Sequence, residues 1–92
     1  MRRATGLITA DYVRDVRRRT GLSPAEFAAI LGVRDSTVYR WEQRDGRIEP
    51  HSQRLLAAID LAYDRGLTGL RGTLITDGPM RALYAVLRKV YA

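Results

Sequence analysis

The stretch SPAEFAAILGVRDSTVYRWEQ, residues 23–43, decides the fold. Its first four residues spell a helix start. Ser23 is a capping residue, Pro24 takes the position where a helix needs no backbone N–H, and Glu26 can close a capping box three residues on. The helix runs through Leu31 with Phe27, Ile30 and Leu31 turned inward, and Gly32 ends it. A second helix opens near Asp35 or Ser36 and reaches about Gln43. Val38 and Trp41 point into the molecule, whereas Arg34, Asp35, Ser36, Tyr39 and Arg40 point out. Gly32 allows a sharp corner with no Cβ in the way, and Val33 plugs it. Phe27, Ala28, Leu31, Val38 and Trp41 then lock two short helices together as a helix-turn-helix unit. One face of the second helix is left free.

The flanks continue the helical pattern. Thr9–Thr20 reads as a helix with Tyr12, Val13 and Val16 on one face, joined by Ile8. Thr9 is its N-cap, Asp11 lies near its positive end, and Gly21 follows its last turn. Residues 44–50, RDGRIEP, read as a polar loop. The next helix spans about His51–Arg65, with Leu55, Leu56, Ile59 and Ala62 or Tyr63 inward, and Gly66 stops it. Residues 66–78 hold four glycines and read as a connector. Within them TLIT, 73–76, has strand propensity but needs a partner. Asp77 is expected to cap a last helix with Pro79 in its first turn and Met80, Leu83, Leu87 and Val90 along an apolar stripe. The expected fold is all-α, a compact bundle of about five helices. Its parts are a flexible basic arm at 1–8, a helix-turn-helix domain at 9–65, and a connector with a C-terminal helix at 66–92.

The 92 residues are 46% hydrophobic and 28% charged, as for one small globular domain. There is no cysteine, which excludes disulfides and thiolate metal sites. His51 is the single histidine, so no metal site and no cofactor are expected. Ser23 and Ser36 have no His–Asp partner set, and the glycines at 66, 69 and 72 lack the strand and helix that frame a phosphate loop. An enzyme is therefore the least supported class. No apolar run approaches the ~18 residues of a membrane span and no secretory leader is legible, so the expected location is the cytoplasm, on the nucleoid when bound to DNA. The net charge is +6, and Lys89 is the only lysine. Such an arginine excess suits phosphate and guanine, although charge alone also allows an acidic protein or an anionic surface.

At this point the chain resembles a known family. RRRTGLSPAEFAAILGVRDSTVYRWEQ, residues 17–43, is similar to the Cro/Xre, or lambda-repressor-like, helix-turn-helix family. The likeness is ungapped from Arg17 to Glu42 and, with the flanking helices, covers roughly 9–65. It implies a DNA reader whose second helix lies in the major groove. It implies a structural ion pair between Arg17 and Glu42, and base contacts from Arg34, Asp35, Ser36, Tyr39 and above all Arg40, suited to guanine O6 and N7. Thr37, Ser23, Arg44 and Arg47 are the expected phosphate contacts. Two departures stand out. Pro24 replaces a glutamine that commonly holds a phosphate, and the loop EQRDGRIEP is longer than the usual Glu-x-Gly-x-x-x-Pro.

Plainer roles compete for several residues. Asp35 suits an N-cap, Trp41 belongs to the core, and Arg14, Arg18 and Arg19 suit a solvated face. Arg2 and Arg3 suit a free tail better than a minor-groove arm. The stripe Met80, Leu83, Leu87 and Val90 can fold back on the core or pair with a second copy; the second is the preferred expectation, with TLIT pairing across the interface. The expected activity is that of a homodimeric repressor on an inverted repeat of double-stranded DNA, often its own promoter. Alternatives are an antitoxin-like module whose C-terminal segment holds a toxin-like partner, and a phage regulator such as one controlling an anti-CRISPR operon.

Overall fold

The computed structural model describes residues 7–76 and 78–92. Six helices stand among the described residues: α1 (Ala10–Thr20), α2 (Pro24–Leu31), α3 (Asp35–Trp41), α4 (Pro50–Asp64), α5 (Arg71–Leu74) and α6 (Pro79–Val90). The all-α expectation holds. The helix beyond the expected five is the single turn α5.

Local signals explain most boundaries. The Thr9 side chain accepts from the Tyr12 N–H to cap α1. Ser23 and Glu26 form the reciprocal capping box of α2, with Ser23 Oγ accepting from Glu26 N at 3.1 Å and Glu26 Oε1 accepting from Ser23 N at 3.0 Å. At the other end of α2 the chain reverses through a Schellman motif. Gly32 N–H donates to the Ala29 carbonyl and Val33 N–H to the Ala28 carbonyl, while Gly32 takes φ +73°. Residues with a Cβ adopt that conformation only under strain. Val33 packs against the core beside this corner.

Three expectations give way here. Asp35 does not cap α3: Arg34 occupies the N-cap position, with no side-chain cap hydrogen bond, and Asp35 is the first helical residue. The segment 7–8, read as part of a free arm, forms β1 (Leu7–Ile8). It pairs antiparallel with β2 (Gly46–Arg47), in the stretch read as a polar loop. Backbone hydrogen bonds at both segments are thereby satisfied, and Ile48 turns inward as a buried residue. The stretch TLIT is not a strand, because Thr73 and Leu74 complete α5 and Leu74 is fully buried. A lone strand would leave its ladder groups unpaired, whereas a helical turn closes its own. Arg2, Arg3 and Asp77, to which roles were attached, lie outside the described residues; the N-cap position of α6 is Gly78.

The core joins all the major helices. Phe27, Leu31, Val38, Leu55, Leu56 and Ile59 are shielded from solvent together with Leu70, Leu74, Ala82 and Val86. The most extensive helix contact is between α4 and α6. The C-terminal helix therefore folds back on its own chain. Leu83, Leu87 and Val90, expected at a dimer seam, are half-buried against this core, and of the four only Met80 is exposed. The reason is thermodynamic: fully burying a Leu- or Val-sized side chain yields roughly 1.5–3 kcal/mol. Leu70, Leu74 and Val86 supply three such burials to offset the ordering of the glycine-bearing connector.

If the connector belongs to the core, Leu74→Ala should destabilise the protein by about 2–5 kcal/mol. Met80→Ala should stay within about 0.5 kcal/mol. Urea denaturation followed by circular dichroism gives both values, and equal small effects would place α5 outside the cooperative unit.

Candidate nucleic-acid interface

The outward face of α3 is built by subtraction. Val38 and Trp41 are drawn into the core, which leaves Asp35, Ser36, Tyr39 and Arg40 exposed and Thr37 half-buried. Arg34 precedes this face, and Arg44 and Arg47 follow it on the loop. None of the four guanidiniums, those of Arg34, Arg40, Arg44 and Arg47, makes a hydrogen bond or ion pair among the described residues. Tyr39 is 65% exposed, large for an aromatic side chain with no covering partner.

What holds this face in place comes from α1. Arg17 clasps the Glu42 carboxylate with two parallel hydrogen bonds, Nε to Oε2 at 2.5 Å and Nη2 to Oε1 at 2.9 Å. Its third nitrogen donates to the Leu22 carbonyl at 3.1 Å. The side chains are only 16% and 9% exposed. The hydrogen bonds to Glu42 raise the Arg17 pKa, against the opposing effect of burial, so the guanidinium stays charged. Arg14 donates to the backbone carbonyl of the same Glu42. Glu42 is the C-cap residue of α3, so two arginines of α1 grip the end of the exposed helix, one by side chain and one by backbone. A cation at a helix C-terminus also complements its dipole.

The loop beyond is anchored to α1 as well. Asp45 Oδ1 accepts from the Ala10 N–H at 2.8 Å, and Gln53 Nε2 donates to the Ile48 carbonyl at 2.6 Å. The opposite side of α1 is tied to α4, where Asp60, buried, accepts from Tyr12 Oη at 3.3 Å and from Arg19 at 3.4 Å. Tyr63 Oη donates to the Arg19 carbonyl at 2.8 Å.

The start of α2 differs from the bare helix end that usually invites an anion. Pro24 has no N–H, and those of Ser23 and Glu26 are spent within the capping box. The Glu26 carboxylate is clasped by Arg71 of α5, Nη1 to Oε1 at 2.9 Å and Nη2 to Oε2 at 2.6 Å. Arg71 also donates to the Gly21 carbonyl at 3.3 Å. The Arg71 hydrogen bonds, followed by that of the Ser23 N–H, lower the Glu26 pKa to about 2. At this end Ser23 keeps its hydroxyl proton for an acceptor, and the Ala25 N–H is unspent.

The structure thus joins Arg17 to Glu42 and sets Arg34, Asp35, Ser36, Tyr39 and Arg40 on one exposed element, with Arg44 and Arg47 on the loop after it. Sequence reading gave no role in the grip to Arg14, although it lies one turn before Arg17 on the same helix and that spacing was a usable signal. It placed Arg19 in solvent, whereas Arg19 pairs with Asp15 and Asp60. The Asp45–Ala10 and Glu26–Arg71 contacts have no local signal, because they join residues 35 and 45 positions apart.

A two-helix corner that leaves the second helix exposed, basic and held from behind defines a helix-turn-helix DNA-binding protein. Residues 10–71 match the family model of the helix-turn-helix domain, and the chain belongs to that family. The Cro/Xre-like stretch 17–42 lies inside the matched span. Comparison with curated proteins and with solved structures gives no significant match. No helix among the described residues is long and apolar enough to cross a membrane.

Two outcomes follow. Glu42→Ala leaves Arg17 as a nearly buried, uncompensated charge and should cost about 3 kcal/mol. Arg17→Met/Glu42→Leu, which removes both charges, should recover much of that loss in thermal or urea denaturation. Glu26 titrates far below its ordinary 4.5. Because its folded-state pKa is depressed, its contribution to stability is complete above the unfolded value near 4.5 and is lost as pH falls through about 2. Carbon-detected NMR of the Glu26 carboxyl should show that low midpoint, and Arg71→Gln should move it back up.

Proposed function

We propose that the protein is a sequence-specific transcriptional regulator that reads double-stranded DNA by laying α3 in the major groove. The observation that carries this reading is the division of charge around α3. Glu42, which would repel phosphate, is turned inward and neutralised by Arg17, while Arg34, Arg40, Arg44 and Arg47 have no partner among the described residues. Arg40 is the principal base reader, its planar fork matched to guanine O6 and N7. Ser36 and Tyr39 flank it on the face. Asp35, in the first turn, suits an amino donor such as cytosine N4. Thr37, Ser23, Arg44 and Arg47 hold phosphates and set the register of the helix in the groove.

The action that fits is repression by occupancy, in which a bound copy blocks a promoter, including its own. A helix of seven residues covers too few base pairs for selectivity, so two copies on an inverted repeat are the natural operator complex. Leu83, Leu87 and Val90 pack, partly buried, against the core of their own chain. The pairing of copies therefore rests on the spacing of half-sites and on other side chains, such as Met80.

Fluorescence anisotropy with duplex DNA from upstream of the gene, against scrambled DNA across a salt series, tests the reading. Selective, steeply salt-dependent binding is expected. Arg40→Ala should remove about 1–3 kcal/mol of specific binding and relax preference at one base pair. An equal loss on both DNAs would make Arg40 a phosphate contact.

A further inference from the structure

Charge pairing within the fold leaves free cations in a second place, away from the α3 face. The outward side of α6 carries Arg81 and Arg88, two helical turns and about 10 Å apart along the axis, with Tyr84 and Ala85 between them. Together with Ile75 and Thr76 they line an open groove of about 510 Å³. Neither guanidinium makes a hydrogen bond or ion pair among the described residues, and no carboxylate of the described residues lines the groove. The two large apolar side chains on its walls, Ile75 and Tyr84, are 55% and 58% exposed. The opposite side of α6 is packed into the core through Ala82 and Val86.

We propose that this groove docks an acidic segment of another protein, one whose carboxylates meet Arg81 and Arg88 and whose apolar side chain packs between Tyr84 and Ile75. Charge complementarity selects this occupant. A second copy would bring the same unpaired guanidiniums face to face, and like charges across an interface are strongly disfavoured. Residues 66–92 as a whole hold four cations, Arg71, Arg81, Arg88 and Lys89, against Asp77 alone. A phosphate backbone would satisfy the arginines but would leave Ile75 uncovered. An acidic segment with aliphatic or aromatic residues satisfies both, and exposed Tyr and Arg are the side chains that anchor protein interfaces. The groove faces away from the reading corner: Pro79, which a Cβ at Gly32 in the α2–α3 corner would approach to 3.5 Å, lies about half a turn round α6 from Arg81 and Arg88. An occupant would therefore stand on the far side of α6 from that corner and leave the α3 face uncovered.

The test uses the full chain and a fluorescein-labelled peptide in which glutamates alternate with leucine and phenylalanine. A second peptide carries glutamine for every glutamate, and a third serine for every leucine and phenylalanine. The first should bind about tenfold or more tightly than either of the others. Arg81→Glu/Arg88→Glu, both at exposed positions, should abolish that advantage while circular dichroism stays unchanged, and Tyr84→Ala should weaken binding. Arg40→Ala/Arg44→Ala should leave it intact. Loss of binding in the Arg40/Arg44 variant instead would assign the peptide to the α3 face and overturn the proposal. So would equal binding of the glutamate and glutamine peptides. Self-association of the wild type that Tyr84→Ala removes would give the groove to a second copy. A loss of non-specific DNA affinity on Arg81/Arg88 reversal, with peptide binding unchanged, would give it to the phosphate backbone.

Discussion

The grip of α1 on Glu42 is the contact on which the DNA-reading geometry depends. α3 is only seven residues long, too short to be stable on its own, and it has no side-chain cap at its start. Its shape comes from tertiary contacts: the apolar pair Val38 and Trp41 beneath it, the Schellman corner before it, and Arg14 and Arg17 at its end. The Arg17–Glu42 pair is nearly buried. Its worth lies less in net stability, which a pair of apolar residues could match, than in fixing one orientation of α3. Two planar forks in register leave little freedom to rotate the helix about its axis, and that rotation decides which side chains face outward.

The same pairing sorts the charges. Asp11, Asp15, Glu26, Glu42, Asp45 and Asp60 each accept from an arginine, a tyrosine or a backbone N–H of the chain. Glu26, Glu42, Asp45 and Asp60 thus tie separate segments together, while Asp11 and Asp15 pair within α1. Among the described residues, arginines without a partner stand on the α3 face with its loop and on the outward side of α6. The α2 start shows the reverse arrangement. With Pro24 and the closed capping box, its amides are mostly spent and Arg71 balances Glu26. Phosphate contacts are correspondingly left to Ser23, Thr37, Arg44 and Arg47 under the proposed reading.

The legible parts of the sequence were those fixed by neighbours. Thr9, Ser23, Pro24, Glu26, Gly21 and Gly32 set helix ends through bonds reaching three or four residues, and Phe27, Val38, Trp41, Leu55 and Ile59 declared the core by period. Asp35 misled because the residue before it, Arg34, is the one with extended backbone, so position and not side-chain type determined the cap. TLIT misled because β-branched residues state a preference that burial of Leu74 in a helical turn overrides. The stripe on α6 was correctly read as apolar, but its partner was not legible: period shows that a face is buried and does not say against which surface. The contacts of Asp45 and Arg71 were beyond reach because they depend on packing between segments far apart in the chain. For the candidate interface, the outward residues of α3 could be read from spacing alone, and the spacing of Arg14 from Arg17 pointed to a shared partner, whereas the choice of the Glu42 backbone carbonyl as acceptor is set by the fold.

The most direct test of the account is to map, by amide chemical-shift perturbation, where duplex DNA from upstream of the gene touches the protein. The account predicts the largest changes at residues 34–40, Gln43, Arg44 and Arg47, smaller ones at Ser23 and Ala25, and little change at Val13, Leu55 or Arg88. Perturbations centred on α6 with α3 unmoved would contradict it, and would mean that the exposed face held so firmly by Arg14 and Arg17 serves something other than DNA.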